Sequence, residues 1–293
     1  MNCKLRTNKA FTLIELLVAV GILAVVLSFA GVIFRVSIDS HRTAIANAEI
    51  MQKLRAITEQ FNADFKGLQK DGYLVLHCEL LNRKEYQEDS NLSDFRADRM
   101  YYFCAGDFQS WFDTNIRSNI AQVYFGHDRT SLATEFVSRW KLLRDLMLIT
   151  PNITFPDCYS TSYAQLKAFP DATLVNAKGF LDSVVSIDIQ SNPNDVRRLM
   201  SQNVGEIKIE WTDNTRLPDG SIAWFGLYYT PGAKLWPKVE GDTTTIPPRL
   251  TASWTPLTPE EDWPKALKFT FTLYDSKAVI KGGRPFTHIV YLD

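Results

Sequence analysis

The chain has 293 residues, of which 45% are hydrophobic and 22% are charged, proportions that are ordinary for a globular protein. Its 32 basic and 33 acidic residues give a formal net charge of −1. A nucleic-acid-binding protein usually carries a basic patch or stripe, and we therefore expect no nucleic-acid partner.

The first predicted element is an apolar run from Phe11 to Phe34, in which Glu15 is the only charged residue and which Arg35 ends. Residues 1–10 precede it with Lys4, Arg6 and Lys9 and no acid. At ~1.5 Å per residue, the run predicts a helix of roughly 36 Å, long enough to cross a hydrocarbon core of ~30 Å. Because the basic flank stays in the cytoplasm, the rest of the chain is expected on the other side.

The stretch Lys9-Ala10-Phe11-Thr12-Leu13-Ile14-Glu15-Leu16-Leu17-Val18-Ala19-Val20 resembles the processing site of type IV prepilins and type II secretion pseudopilins. The resemblance implies that a prepilin peptidase cuts between Ala10 and Phe11 and that the new amine of Phe11 is methylated. It also implies that Glu15 neutralises the amine of Phe11 in a neighbouring subunit. The sequence departs from the family pattern in two ways, since Ala10 replaces the usual Gly and the span lacks the proline of major subunits.

Other interpretations of this stretch are less favoured. A secretory signal peptide has an apolar region of ~7–15 residues, and the run here continues past the candidate cleavage site Ser28-Phe29-Ala30 to Phe34. A plain membrane anchor leaves Glu15 unexplained, since a carboxylate near the membrane usually has a partner. A third hypothesis for Glu15 is an interfacial position from which its side chain reaches water.

The helical pattern continues beyond Arg35 to about Gln69, with a stop supplied by Gly67 and Lys70-Asp71-Gly72. An apolar stripe at three- and four-residue steps predicts that this half packs against a folded domain. The stripe consists of Ile38, Ile45, Ala48, Met51, Leu54, Ile57, Phe61, Phe65 and Leu68. The predicted domains are a leader (1–10), a transmembrane helix half (11–34), an amphipathic helix half (35–70) and an extracytoplasmic domain (71–293).

Strand signals dominate after the helix. The predicted strands are Tyr73–Cys78, Arg99–Gly106, Ile120–Phe125, Phe136–Ile149, Val184–Gln190, Glu206–Trp211, Ser221–Tyr229, Ala266–Tyr274 and Phe286–Leu292. Glu206–Trp211 is expected to form a hairpin with Ser221–Tyr229, and Ala266–Tyr274 with Phe286–Leu292. The segments between strands are predicted as a polar loop at Asn82–Arg99, a helix or turn at Asp107–Arg117, a brief helix at Tyr163–Ala168, a connector with one helical turn at Asn192–Asn203 and a long loop at Thr230–Asp262. The predicted class is α+β, with the long N-terminal helix packed on an antiparallel sheet.

No motif for catalysis, phosphate binding or metal binding is present, and we expect neither an enzyme nor a cofactor. Three groups of residues are candidates for chemistry. His127-Asp128 favour a surface turn over a general base, and Trp236, Trp254 and Trp263 favour core or loop anchors over a sugar platform. The acidic residues of 82–99 favour a solvated loop over a calcium site. Cys78, Cys104 and Cys158 are consistent with one disulfide, with buried thiols or, more weakly, with a metal site beside His77 and His127.

Within the pilin-like family, the large domain and the stretch Arg96-Ala97-Asp98-Arg99-Met100-Tyr101-Tyr102-Phe103 resemble J-type minor pseudopilins and W-type minor pilins. Pro264-Lys265-Ala266-Leu267-Lys268-Phe269 also resembles their penultimate strand, and the large K-type pseudopilin is an alternative by size. The resemblance implies a minor subunit of a secretion or pilus machine in the inner membrane. Its partners would be other pilin-like subunits, the prepilin peptidase, the inner-membrane assembly platform and the membrane itself. The alternative is a membrane-anchored ligand-binding or hydrolytic domain.

Overall fold

A computed structural model describes residues 12–82, 94–151, 153, 155–160, 162–167, 193–227, 238–242 and 249–292. It divides into two compact units, 1–48 and 49–293. The described part of the first unit is helical, and the second unit combines the end of that helix with β-sheet.

The long helix α1 spans Leu13–Lys66 and confirms the predicted helix within three residues at each end. The other α-helices are short: α2 at Arg129–Thr134 and α3 at Tyr163–Lys167, where the brief helix was predicted. Single 3₁₀ turns lie at Val137–Arg139, Pro193–Arg198 and Glu260–Asp262.

Twelve strands are described in two sheets. In chain order they are β1 (Leu74–Asn82), β2 (Asp94–Arg96), β3 (Arg99–Gln109), β4 (Arg117–His127), β5 (Lys141–Ile149), β6 (Cys158–Tyr159), β7 (Leu199–Gln202), β8 (Val204–Thr212), β9 (Lys238–Asp242), β10 (Arg249–Trp254), β11 (Ala266–Leu273) and β12 (Arg284–Tyr291). The larger sheet has the order β6-β5-β4-β3-β1-β10-β9, with β2 also paired to β1 and β7 to β5. The smaller sheet has the order β12-β11-β8. Every pair is antiparallel except β5–β6. The α+β prediction is confirmed.

The second half of α1 contributes one buried stripe to the core between the two sheets. Ile50, Ile57, Phe61 and Phe65 are all buried. The ring of Phe61 lies 4.6 Å from that of Phe125 in β4 and 4.4 Å from that of Phe269 in β11, so it contacts both sheets. The stripe begins later than predicted, because Ile38, Ile45 and Met51 are exposed while Ile50 is fully buried.

Gly67 ends α1 where the chain meets the larger sheet, as predicted. The Gly67 carbonyl accepts the Ala105 N–H at 2.7 Å, and Gln69 N–H donates to the Phe103 carbonyl at 2.9 Å. A Cβ at position 67 would overlap the Ala105 carbonyl oxygen. Only glycine therefore allows the helix end to approach β3 this closely.

The loop predictions are wrong in part. Asn82–Arg99 contains β2, and Thr230–Asp262 contains β9 and β10. Asp107–Arg117, predicted as a helix or turn, contains a turn between the end of β3 and the start of β4. Asn192–Asn203 has the predicted helical turn, at Pro193–Arg198, but also contains β7. Glu206–Trp211 and Ser221–Tyr229, predicted to form a hairpin, are paired in the described chain only by an isolated bridge between Trp211 and Phe225. The continuous ladder of β8 is with β11. The terminal β11–β12 hairpin is confirmed. The predicted strand Val184–Gln190 lies outside the described residues.

Candidate membrane-anchoring and assembly segment

The first part of α1 presents an apolar surface with no cover from the described chain. Every large apolar side chain from Leu13 to Phe34 is exposed. The most apolar 18-residue window has a mean hydropathy of 2.9, and none of it is buried. By length and composition, this helix is able to cross a membrane.

Glu15 and Thr12 form a reciprocal hydrogen-bonded cap at the start of α1. The Glu15 carboxylate oxygen Oε2 accepts the Thr12 backbone N–H at 2.9 Å and the Thr12 hydroxyl at 3.0 Å. In return, the Glu15 backbone N–H donates to the Thr12 Oγ1 at 3.3 Å. This is a capping box, which satisfies two donors that a helix start otherwise leaves unpaired.

The cap gives Glu15 a role within its own chain that the sequence analysis missed. The signal was present as Thr12-Leu13-Ile14-Glu15, the spacing of a capping box. Only Oε2 is used, and the other carboxylate oxygen, Oε1, has no hydrogen bond within the described residues. Ala10 and Phe11, the predicted processing site, lie outside the described residues, so the roles of all three predicted site residues stay predictions.

The comparison with protein-family models bears on the same segment. A model described as the prokaryotic N-terminal methylation motif matches residues 5–31. This match supports a type IV pilin-like protein. No curated protein and no solved structure matches it.

The motif carries general consequences for processing, assembly and membrane anchoring. Proteins with it are processed by a prepilin peptidase and assemble with other pilins. The motif and the single apolar helix fit a membrane-anchored protein with a C-terminal domain.

The remaining candidates for chemistry are mostly structural. His127 and Asp128 are both about 1% exposed, so the predicted surface turn is wrong. His127 Nε2 donates to the Gly205 carbonyl at 2.7 Å, while Asp128 caps α2. Burial lowers the pKa of His127 to about 4, and its Nδ1 has no partner in the described chain. A group this enclosed is unable to contact a substrate.

The tryptophans and cysteines also belong to the core. Trp254 and Trp263 are buried, which contradicts a sugar-stacking role for them, and Trp236 lies outside the described residues. Cys78, Cys104 and Cys158 are buried free thiols. No cluster of three or more metal-ligating side chains occurs among the described residues.

A buried ion network joins the two sheets around Asp98. Its carboxylate pairs with the Arg96 guanidinium and accepts two backbone N–H groups, from Glu79 in β1 at 3.1 Å and from Ile209 in β8 at 2.7 Å. Burial raises the pKa of Asp98, and the neighbouring Arg96 acts in the opposite direction. Asp98 N–H also donates to the Ile207 carbonyl at 3.1 Å.

The same network extends to a second buried pair. Glu79 binds Arg99 at 2.9 Å and Arg129 at 3.0 Å. The Asp-Arg strand that resembles minor pseudopilins therefore lies inside the domain, where it connects β1, β3, α2 and β8. Its role in the described structure is to hold the sheets together.

An open pocket of about 170 Å³ lies on β5 beside Trp111 and Leu146. Two of its three arginines are already paired, Arg144 with Asp64 at 2.6 Å and Arg198 with Asp145 at 2.8 Å. Arg144 and Asp64 connect the sheet to α1, so they serve the packing of the helix.

Proposed function

We propose that this type IV pilin-like protein is a non-enzymatic minor subunit, a pseudopilin or minor pilin, of a type II secretion or type IV pilus machine. The carrying observation is that the methylation motif at residues 5–31 overlaps a helix whose large apolar side chains are exposed from Leu13 to Phe34. That surface fits lipid before assembly and the helices of other subunits after it.

The large folded domain supports a minor role. Its described strands form two sheets, and a domain of this size would be crowded in a closely repeating filament. Anchored in the inner membrane through α1, the domain would lie on the extracytoplasmic side, because the basic leader is retained in the cytoplasm.

Glu15 is assigned two simultaneous tasks in this proposal. Its Oε2 caps its own helix through Thr12, and its Oε1, which has no partner in the described chain, is available to the methylated amine of Phe11 in a neighbouring subunit. A buried amine without this carboxylate would leave an uncompensated charge in a medium of low dielectric constant, which strongly disfavours packing.

The test is to compare Glu15→Leu with Glu15→Gln. Leucine makes the span more apolar, so membrane insertion should become easier by ~2–3 kcal/mol, while partner assembly is lost. Glutamine keeps an oxygen acceptor for the Thr12 cap but carries no charge, so it separates the two tasks. We expect both variants to insert and both to lose co-purification of partner pilins from membranes.

Two controls accompany this measurement. Thr12→Val removes the hydroxyl of the cap and leaves Glu15 charged, so partner recovery should persist. Normal recovery with Glu15→Gln would show that the charge is dispensable and would remove the assembly role proposed for Glu15.

A further inference from the structure

Strand β12 forms an edge of the smaller sheet, since its only ladder in the described chain is with β11. Free edges expose unpaired backbone groups, and natural proteins usually block them with charged residues, prolines or bulges. β12 is protected in this way only at its start, by Arg284 and Pro285. From Phe286 to Tyr291 it contains no Asp, Glu, Lys, Arg, Pro or Gly, and its register with β11 has no bulge.

The hydrogen-bond alternation identifies which backbone groups point outward. Leu292 N–H donates to the Lys265 carbonyl at 2.9 Å. In an antiparallel pair, inward and outward residues alternate, so Thr287, Ile289 and Tyr291 direct their N–H and C=O groups away from β11. None of these groups has a hydrogen-bond partner in the described structure.

The side chains of the same three residues share the outer face of the sheet. Tyr291 is 70% exposed and Ile289 is 37% exposed. One edge strand of the larger sheet, β9, differs, because its sequence contains Lys238, Glu240 and Asp242 within five residues. Among these two edges, β12 is the one that lacks charged protection.

We propose that β12 is a docking edge to which a different pilin-like subunit adds an extended strand. The proposal rests on the assembly function proposed above. Strand addition is an established mode of recognition in which backbone bonds supply affinity and alternate side chains supply specificity. His288 on β12 bonds Asn62 of α1 at 3.0 Å, so the edge is continuous with the helix along which pilin-like subunits assemble.

The direction of β12 argues against a second copy as the occupant. The turn before β12 is held at Glu49, through the Ser276 N–H at 2.9 Å, and His288 is held at Asn62, so β12 runs in the same direction as residues 49–66 of α1. Antiparallel pairing of two β12 strands about a two-fold axis would set residues 49–66 of the two chains in opposite directions. Under the proposed function, subunits that assemble through α1 have these helices in one direction.

The test uses the full-length chain in the membranes of its own host, with a photo-crosslinking amino acid at Thr287. We expect an adduct with a protein that itself carries a prepilin-type N-terminus. Ile289→Pro should reduce its yield at least about tenfold, because proline removes an outward donor and its ring obstructs an incoming strand. The β11–β12 ladder does not use this N–H, and Pro285 already occupies an equivalent outward position.

Ile289→Thr is the matched control, since it retains the N–H and β-branching, and it should preserve the adduct. Equal thermal midpoints for the two variants would show that the domain is intact. If the thermal midpoints of the two Ile289 variants differ, Thr287→Pro and its control Thr287→Val replace them, and the photo-crosslinking amino acid is placed at Tyr291. An adduct unchanged by proline, an adduct with this chain itself, or no adduct would each overturn the proposal. If the wild-type chain gives no adduct at Thr287 but still co-purifies with partner pilins, only the docking edge is rejected and the proposed function stands. If it gives neither the adduct nor the partner pilins, the proposed function is rejected as well.

Discussion

Asp98→Ala should destabilise the folded domain by about 3–5 kcal/mol, the range for breaking a buried ion pair. The Asp98 side chain is 0% exposed, and Arg96, its partner, is also buried. Truncation would leave the guanidinium without its carboxylate and remove the acceptor for the N–H groups of Glu79 and Ile209. Urea unfolding of the full-length protein in detergent, followed by tryptophan fluorescence, measures the loss, because Trp140, Trp211, Trp254 and Trp263 are buried reporters.

Asp107→Ala provides the matched control. Asp107 pairs with Arg117 at 3.2 Å, but both side chains are largely exposed. An exposed pair of this kind contributes about 0–1 kcal/mol. If the two alanine variants lost similar amounts of stability, the network around Asp98 would not be what joins the sheets.

The second large effect is a loss of stability as the pH falls from about 6.5 to about 4. Burial lowers the pKa of His127 to about 4 in the folded protein, whereas an unfolded histidine titrates near ~6.5. Between these two pH values, His127 is protonated in the unfolded chain but neutral in the folded chain. Its contribution to the free energy of unfolding is therefore fully present above pH ~6.5 and is lost as the pH falls toward ~4. A shift of this size corresponds to about 3 kcal/mol.

His127→Gln isolates this contribution. Its side-chain amide is able to donate to the Gly205 carbonyl as His127 Nε2 does, but it does not titrate. Unfolding free energies measured at pH 7.5 and at pH 4.5 should fall less for the glutamine variant than for the wild type. Equal decreases would show that other groups cause the acid sensitivity.

The sequence predicted the helix and the last hairpin because both follow from local patterns. A nearly uncharged run from Phe11 to Phe34 and the alternation of Leu267, Phe269, Phe271 and Leu273 each specify one structure. The exact buried face of α1 was less certain. Ile50 and Met51 are adjacent apolar residues, and only contact with the two sheets determines that Ile50 is buried and Met51 exposed.

The missed strands depend on partners that are distant in sequence. β10 pairs with β1, with Trp254 opposite Leu74. A segment in a proline-rich region therefore becomes an inner strand of the larger sheet, next to β1. Tertiary pairing here overrides weak local propensity.

The candidate site was recognised from the motif, but its geometry was not. The Thr12 cap followed a known spacing that was overlooked, whereas the partners of Asp98 lie on β1 and β8 and no local pattern specifies them. His127-Asp128 was misjudged for a related reason, since polar residues are usually exposed and only the carbonyls of Val204 and Gly205 make the buried position favourable.

The most direct test of the pilin-like assignment is the intact mass of the membrane-bound form purified from its own host. We expect a chain that begins at Phe11, with residues 1–10 removed and one methyl group added. Cells lacking their prepilin peptidase should yield the chain with Met1–Ala10 retained and no methyl group. A chain that keeps its leader in normal cells, or one that begins after Ala30, would contradict the pilin-like assignment.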